Sequence, residues 1–241
     1  MRAISIIYRR ELGAYLRSPF GWVIAAILLL IDGILFQGFA MTGEKLSAIV
    51  LERYFNFASV IPLFGGVLLS FRLLSEERQN HSMVLLNTSP IRDSEIVLGK
   101  FFAALTFLTI LLALSFYMPV MIKVNGKITG AQVMVGYLGL VLVGAATLAI
   151  GLFGSALTRQ QLVAAVASAA MVAIMCFIHL LADKVDAPLK DVINDIDLWW
   201  THYQYGFMKG VLNLKDVVYY LAVTYFFLLL SIKTLEAKRW Q

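Results

Sequence analysis

Cysteine is nearly absent from the chain: 241 residues hold one, Cys176. That excludes an intrachain disulfide and a thiolate metal cluster. Charge is scarce as well. Asp, Glu, Lys and Arg make up 15% of the residues, against 60% hydrophobic and a mean hydropathy of +0.81. A soluble domain of this size cannot bury so much apolar surface, because half or more of its residues must face water. Charge-poor runs of about twenty residues recur instead, each long enough to cross a ~30 Å hydrocarbon core. A segment in lipid must satisfy its own backbone hydrogen bonds, and continuous apolarity without period-two alternation selects helices over barrel strands. The expected fold is an all-α integral membrane protein, one domain of six transmembrane helices.

Two kinds of chemistry lack their residues. A phosphate-cradling loop ends in Gly-Lys-Ser/Thr, but Gly126-Lys127 is followed by Ile128. If ATP drives this protein, another chain hydrolyses it. A serine–histidine hydrolase would have to use Ser155 and His179, which the pattern sets near opposite ends of neighbouring spans, roughly a membrane thickness apart. An enzyme is therefore not expected. No internal repeat is visible, and nothing points to nucleic acid. Gly38-Phe39-Ala40 imitates a signal-cleavage site only faintly, so the first span is expected to remain uncleaved.

Residues 2–17 carry Ile4, Ile7, Tyr8, Leu12, Tyr15 and Leu16 at three- and four-residue spacing, with Arg2, Arg9, Gly13 and Arg17 opposite. This predicts an N-terminal amphipathic helix in the membrane surface, its arginines toward anionic headgroups. Ser18-Pro19 reads as cap and first position of the next helix. Spans are expected at about 20–40, 54–72, 100–122, 133–157, 162–181 and 216–235. With the N-terminus inside, the inner segments hold twelve of the twenty Lys and Arg residues against six acids. The outer segments balance eight against eight. Positive charge prefers the cytoplasm, so both termini and the 73–100 segment are expected inside. The external segment 182–215 carries Trp199, Trp200, Tyr203, Tyr205 and Phe207, as expected of short interfacial helices whose rings settle at headgroup depth.

Polar residues within the spans are few. Asp32 is the one acid, about 18 Å up from Phe20 at ~1.5 Å per residue, and must face the protein interior or a wet cavity. Asn56 and Ser59 are candidates for a pathway or an interface beside it. Thr147, Gly151 and Ser155 form a small-residue face suited to close helix contact, and Ala165, Ala169 and Ala173 form another, expected to oppose the glycines of span four. Met171, Met175 and His179 line up at i, i+4 and i+8, with Met118 and Met121 on span three. Thioether and imidazole suit cuprous ion, but methionine is also ordinary gap filler, and no acid or second soft cluster stands ready to pass an ion onward. No metal site is expected.

The segment 73–100 is different. It holds Glu76, Glu77, Arg78, Arg92, Asp93, Glu95 and Lys100 between two apolar runs, with Met83, Leu85 and Leu86 in the middle. Ser89-Pro90 reads as a second cap-plus-proline helix start running into span three. A mere connection needs a handful of residues; this one has the makings of a docking surface, with apolar anchors, a charged rim and Pro90 stiffening the turn.

Here the chain resembles a family. Arg10-Glu11-Leu12 with Tyr15, Ser18 and Pro19 is similar to the N-terminal helix of exporter-type ABC transporter permeases. Pro62, Arg72, Glu76-Glu77-Arg78, Leu85-Leu86-Asn87-Thr88-Ser89-Pro90 and Gly99-Lys100 resemble that family's pattern between spans two and three. The tail, with His202-Tyr203, Gly210-Val211, Asp216, Tyr219-Tyr220, Leu235-Glu236 and Arg239-Trp240, is most similar to the gliding-motility branch. The copper-linked permeases of nitrous-oxide-reductase maturation are cousins. Where relatives read Gly-Thr-Ile-Glu-Leu-Leu, this chain has His81-Ser82-Met83-Val84-Leu85-Leu86. The resemblance implies a permease subunit of the bacterial inner membrane that couples ATP hydrolysis elsewhere to export. The loop and Glu11 would meet the ATPase through Glu76, Glu77, Arg78, Met83, Leu85, Leu86 and Pro90. Implied partners are two ATPase copies using ATP and Mg, a second permease protomer (most simply an identical one), and an extracytoplasmic accessory protein. A complex that transmits force or signal without a solute shares every one of these residues.

Overall fold

A computed structural model describes residues 2–43, 46–79, 91–182, 184, 186 and 189–239. It is helical, with no strand among the described residues. Helix α1 runs Arg2–Arg17. Six helical segments long and apolar enough to cross a membrane follow: Pro19–Ala40, Ser47–Gln79, Asp93–Val124, Gly130–Leu157, Gln161–Ala182 and Leu214–Lys238. We number them as spans one to six. Spans two, three and four form the centre, 56–67% buried over their apolar windows, while spans one, five and six are 22–33% buried. Helix α1 and the C-terminal end of span six lie at one end of the bundle, the terminal end; the segment between spans five and six lies at the other, the distal end.

Proline accounts for two breaks in the central helices. Span two comprises α3 (Ser47–Ala58), α4 (Val60–Ser70) and α5 (Arg72–Gln79). Pro62 has no N–H for the Ala58 carbonyl, and the chain bends at Ser59, whose hydroxyl donates to the Asn56 carbonyl at 2.6 Å. Span three comprises α6 (Asp93–Leu114) and α7 (Tyr117–Asn125). Pro119 likewise leaves the Ser115 carbonyl to other donors, the Met118 N–H at 3.1 Å and the Tyr54 hydroxyl at 3.5 Å.

The small-residue face on span four performs its expected role, against span two. Thr147 Oγ1 donates to the Pro62 carbonyl at 2.8 Å. A Cβ on Gly66 would sit 2.1 Å from Thr147 Oγ1, and one on Gly151 would sit 1.8 Å from Ser70 Oγ. Ser155 Oγ then spans the third break, donating to the Phe71 carbonyl (2.6 Å) and accepting from Leu74 N–H (3.0 Å) and Ser75 N–H (2.9 Å). One stripe of side chains thus sets the distance between two helices and also satisfies the backbone where one of them bends.

The expectation for span five needs a correction. Ala169 and Ala173 are exposed, and the buried stripe is the adjacent one, Ala164, Ser168, Val172 and Cys176. Ser168 Oγ donates to the Gly151 carbonyl at 3.1 Å, which turns that side of the helix inward. Most of the distal aromatics pack into the protein. Tyr203 and Phe207 are fully buried, and Tyr203 donates to the Phe55 carbonyl at 3.0 Å. Trp199 Nε1 donates to Ser59 Oγ at 3.0 Å. Of this group, Tyr205 stays exposed. Asp197, fully buried, holds the turn by accepting from the N–H groups of Trp199, Trp200 and Thr201, and pairs with His179 Nδ1 at 3.1 Å.

Candidate functional site at the terminal end of the bundle

The charged residues of the 73–100 segment do not begin in a loop. Arg72, Glu76, Glu77 and Arg78 continue span two as helix α5, and span three begins at Asp93. The reason is pairing. Arg72 makes a bidentate contact with Glu76 one turn on, at 2.7 and 2.9 Å, and its guanidinium lies 4.2 Å from the centre of the Phe20 ring. Residues Ile91 and Arg92 are not helical, so the proline-led start expected at Ser89-Pro90 does not run unbroken into span three. Instead Glu95 Oε2 accepts from the Arg92 N–H at 3.1 Å and caps the helix there. Met83, Leu85, Leu86 and Pro90 lie outside the described residues.

Four side chains from three elements meet at the centre of this end. Arg10 donates to Glu11 and to Glu77, both at 2.7 Å. Lys100 Nζ lies 3.0 Å from Glu11 and 3.0 Å from Glu77. Lys100 is 2% exposed, against 16% for Glu11 and 13% for Glu77. A buried ammonium is tolerable only because two carboxylates face it. The network ties α1, the end of span two and the start of span three into one unit. Beside it opens a cavity of about 310 Å³, lined by Arg10, Glu11, Tyr15, Arg72, Glu76, Glu77 and Lys100 among others.

Helix α1 reaches this position by packing one face on spans two and three. A Cβ on Gly99 would approach Ile7 to 2.9 Å, so glycine there admits the helix. Tyr15 is buried, stacks on Phe107 at 5.2 Å and donates to the Leu69 carbonyl at 2.7 Å. The end of span four is tied in too: Lys238 Nζ donates to the carbonyls of Ala156 (3.1 Å) and Leu157 (2.7 Å), and Arg78 also donates to Ala156. Cations at a helix C-terminus match its partial negative charge.

Burial alone would push the Glu11 carboxyl up, but Lys100 and Arg10 hold it below the ordinary glutamate value of 4.5. Its folded pKa is therefore depressed, and the stability it contributes is present above that ordinary value. It is lost as pH falls through the folded value. A nitroxide at exposed Ser5 should gain mobility reversibly as the pH is lowered past that ordinary value and through the depressed one. In Glu11→Gln that acid-dependent step should be missing; an identical acid response would exclude Glu11 as its origin.

The other sequence candidates fall elsewhere. Asp32 is buried in the distal half of the bundle core. Ser59 links the span-two bend to Trp199, and Asn56 contributes its carbonyl to that same bend. Met118 is buried beside Gly33 of span one, away from the span-five methionines. Met175 contributes its carbonyl to Leu198, and His179 stacks on Trp200 at 4.9 Å. The sequence alone did not pair Arg10 and Lys100 with Glu11 and Glu77, nor His179 with Asp197 or His202 with Asp216. The last joins Nδ1 to Oδ1 at 2.8 Å. A lysine at the very start of an apolar span was the available signal, since it can stay buried there only with acids nearby.

The chain combines six helices long and apolar enough to cross a membrane, an N-terminal helix docked across spans two and three, and a charged lock at that junction. The sequence model of one family, described as ABC-2 family transporter protein, matches residues 5–235. The chain belongs to the ABC-2 transporter family. The match runs from α1 to the end of span six, so the docked helix and the distal segment are both part of the family domain. No curated protein matches the chain. This ABC-2 protein is thus a multi-pass membrane subunit of an ABC transporter, a family whose permeases work with an ATPase.

Proposed function

We propose that this ABC-2 permease couples ATP hydrolysis in a separate ATPase subunit to export across a bacterial inner membrane. In this reading the terminal end is cytoplasmic, and two permease protomers, most simply identical, work with two ATPases that use ATP and Mg. The Arg10–Glu11–Glu77–Lys100 lock carries the proposal. A push on residues 80–90 would enter α5 through Glu77 and pass at once to α1 and span three. Span three is helical from Asp93 to Leu114, and Ser155 bridges the Phe71 bend of span two, so displacement would not be absorbed locally. The gliding-motility branch, with an extracytoplasmic accessory protein, is the finer assignment we favour from the tail residues.

One observation favours a complex that transmits force or signal without moving a solute. The polar groups of the central spans are committed to one another: Thr147 to Pro62, Ser155 to the Phe71 bend, Tyr54 to Ser115 and Tyr137. Few remain to line a polar path.

The test of coupling lies in the loop. Replacing Leu85 and Leu86 with Asp should release the co-expressed ATPase on purification, while the permease still inserts and α1 stays docked. Undiminished co-purification of the double variant would remove the loop from the ATPase contact.

A further inference from the structure

Asp32 is 1% exposed in the middle of span one, and neither carboxylate oxygen has a hydrogen-bond partner among the described residues. No basic group among them acts on it either; its environment is apolar burial. The titratable groups within electrostatic range are three phenols, Tyr54 of span two, Tyr137 of span four and Tyr203 of the distal turn. An ionised carboxylate with no counter-charge and no donor, inside a membrane core, is among the costliest placements a side chain can take.

Donors are close, but they are engaged with one another. The Tyr54 and Tyr137 hydroxyls bond at 2.7 Å, and each is 3.1 Å from Ser115 Oγ, which donates to the Leu112 carbonyl. A metal cation would need several of these oxygens turned toward Asp32 at once. A proton needs none. Immediately beyond Asp32 the helix loosens: the Phe36 N–H is shared between the Asp32 and Gly33 carbonyls, and a π-helical turn follows over Phe36–Ala40. Such turns are frequent at functional sites because they leave the backbone a second arrangement. Phe36 in turn packs edge-on against Tyr54 at 5.8 Å, so a shift of that turn is felt by the phenol cluster.

We propose that Asp32 is a proton-binding site, occupied in this conformation and emptied when span one moves so that a phenol of the Tyr54–Tyr137 pair donates to the carboxylate. The bond that breaks is the Asp32 O–H, and its proton leaves to water or to a neighbouring acceptor. Proton release would then accompany the conformational cycle, whatever the cargo.

Infrared spectroscopy of the purified permease reads the first half, and does not depend on the ATPase reading. At neutral pH the wild-type protein should show the carbonyl stretch of a protonated carboxylic acid, shifted in D₂O and missing from Asp32→Asn. Exchanging potassium for sodium should leave it unchanged. Lack of that band, or its loss on adding sodium, would overturn the proton assignment, the latter in favour of a cation site. Should Asp32→Asn fail to assemble, dicyclohexylcarbodiimide, which reacts with protonated buried carboxyls, should modify Asp32 of the wild type, read by peptide mass spectrometry; an unmodified Asp32 would contradict the proposal. The second half uses the permease–ATPase complex held with a non-hydrolysable ATP analogue. The Asp32 band should fall by at least half; equal bands in both states would refute the conformational link while leaving the protonated site standing.

Discussion

Trypsin should cut the N-terminal helix at Arg9, Arg10 and Arg17 on the order of 100-fold faster once Lys100 is replaced by Met. Methionine matches the stem of lysine but removes the ammonium, leaving Glu11 and Glu77 mostly buried without the cation that faces both of them. Breaking one side of a buried ion pair costs about 3–5 kcal/mol, largely because the surviving charges stay desolvated. Here the least expensive escape is for α1 to lift away and let both acids reach water. Cleavage through a rapidly opening segment follows the open population. The substitution adds no tryptic site, so faster cutting reports undocking. Adding Glu11→Gln and Glu77→Gln to the variant should restore slow cutting, since no buried acid is then left to relieve and the remaining charge, Arg10, is half exposed. Equal cleavage of wild type and Lys100→Met would mean that packing of Ile7 and Tyr15 holds the helix and that the lock is incidental.

The second large effect is expected at Gly66. A Cβ there meets Thr147 Oγ1 at 2.1 Å, Thr147 Cβ at 2.8 Å and the Leu148 backbone nitrogen at 3.3 Å. Rotating Thr147 relieves the first contact but not the other two, so Gly66→Leu must push spans two and four apart. That also removes the Thr147–Pro62 bond and separates Ser155 from the Phe71 bend. Overpacking costs typically 1–3 kcal/mol and occasionally more; several linked contacts place this case at or above about 3 kcal/mol. Thermal unfolding in detergent should show a Tm lowered by several degrees. Gly13→Leu is the control, because nothing lies within 4 Å of its Cβ and its Tm should not change. A Gly66→Leu protein as stable as the control would contradict the close approach of the two spans.

How much of this could be read in advance depended on whether one kind of residue settled the matter. Apolar runs settled the existence and number of the spans. Their ends were less legible. Arg72, Glu76, Glu77 and Arg78 look like the start of a solvated loop, yet they stay helical because each finds a partner: Glu76 on its own helix, Arg10 and Lys100 on others, and the end of span four. Such partners are far away in sequence. The inward face of span five was undecidable among so many alanines, since small residues occupy both neighbouring stripes. One hydroxyl, Ser168 against the Gly151 carbonyl, chooses between them. Asp32 could be assigned to the interior from its type alone, but its lack of a hydrogen-bond partner is a property of the packed bundle. The distal aromatics could be assigned to the 182–215 segment from their number, but only contacts such as Tyr203 to Phe55 show which of them close the core.

In the proposed mechanism, force from a separate ATPase enters through the end of span two and is shared by the lock. ATP turnover in proteoliposomes tests it most directly, comparing the ATPase alone, the permease alone, and the complex with wild-type or Lys100→Met permease. The permease alone should show no turnover, and the wild-type complex should turn over ATP at a rate different from that of the free ATPase. With Lys100→Met the ATPase should stay bound but its turnover should return to the free rate. Turnover by the permease alone, or a Lys100→Met complex that regulates its ATPase as the wild type does, would contradict it.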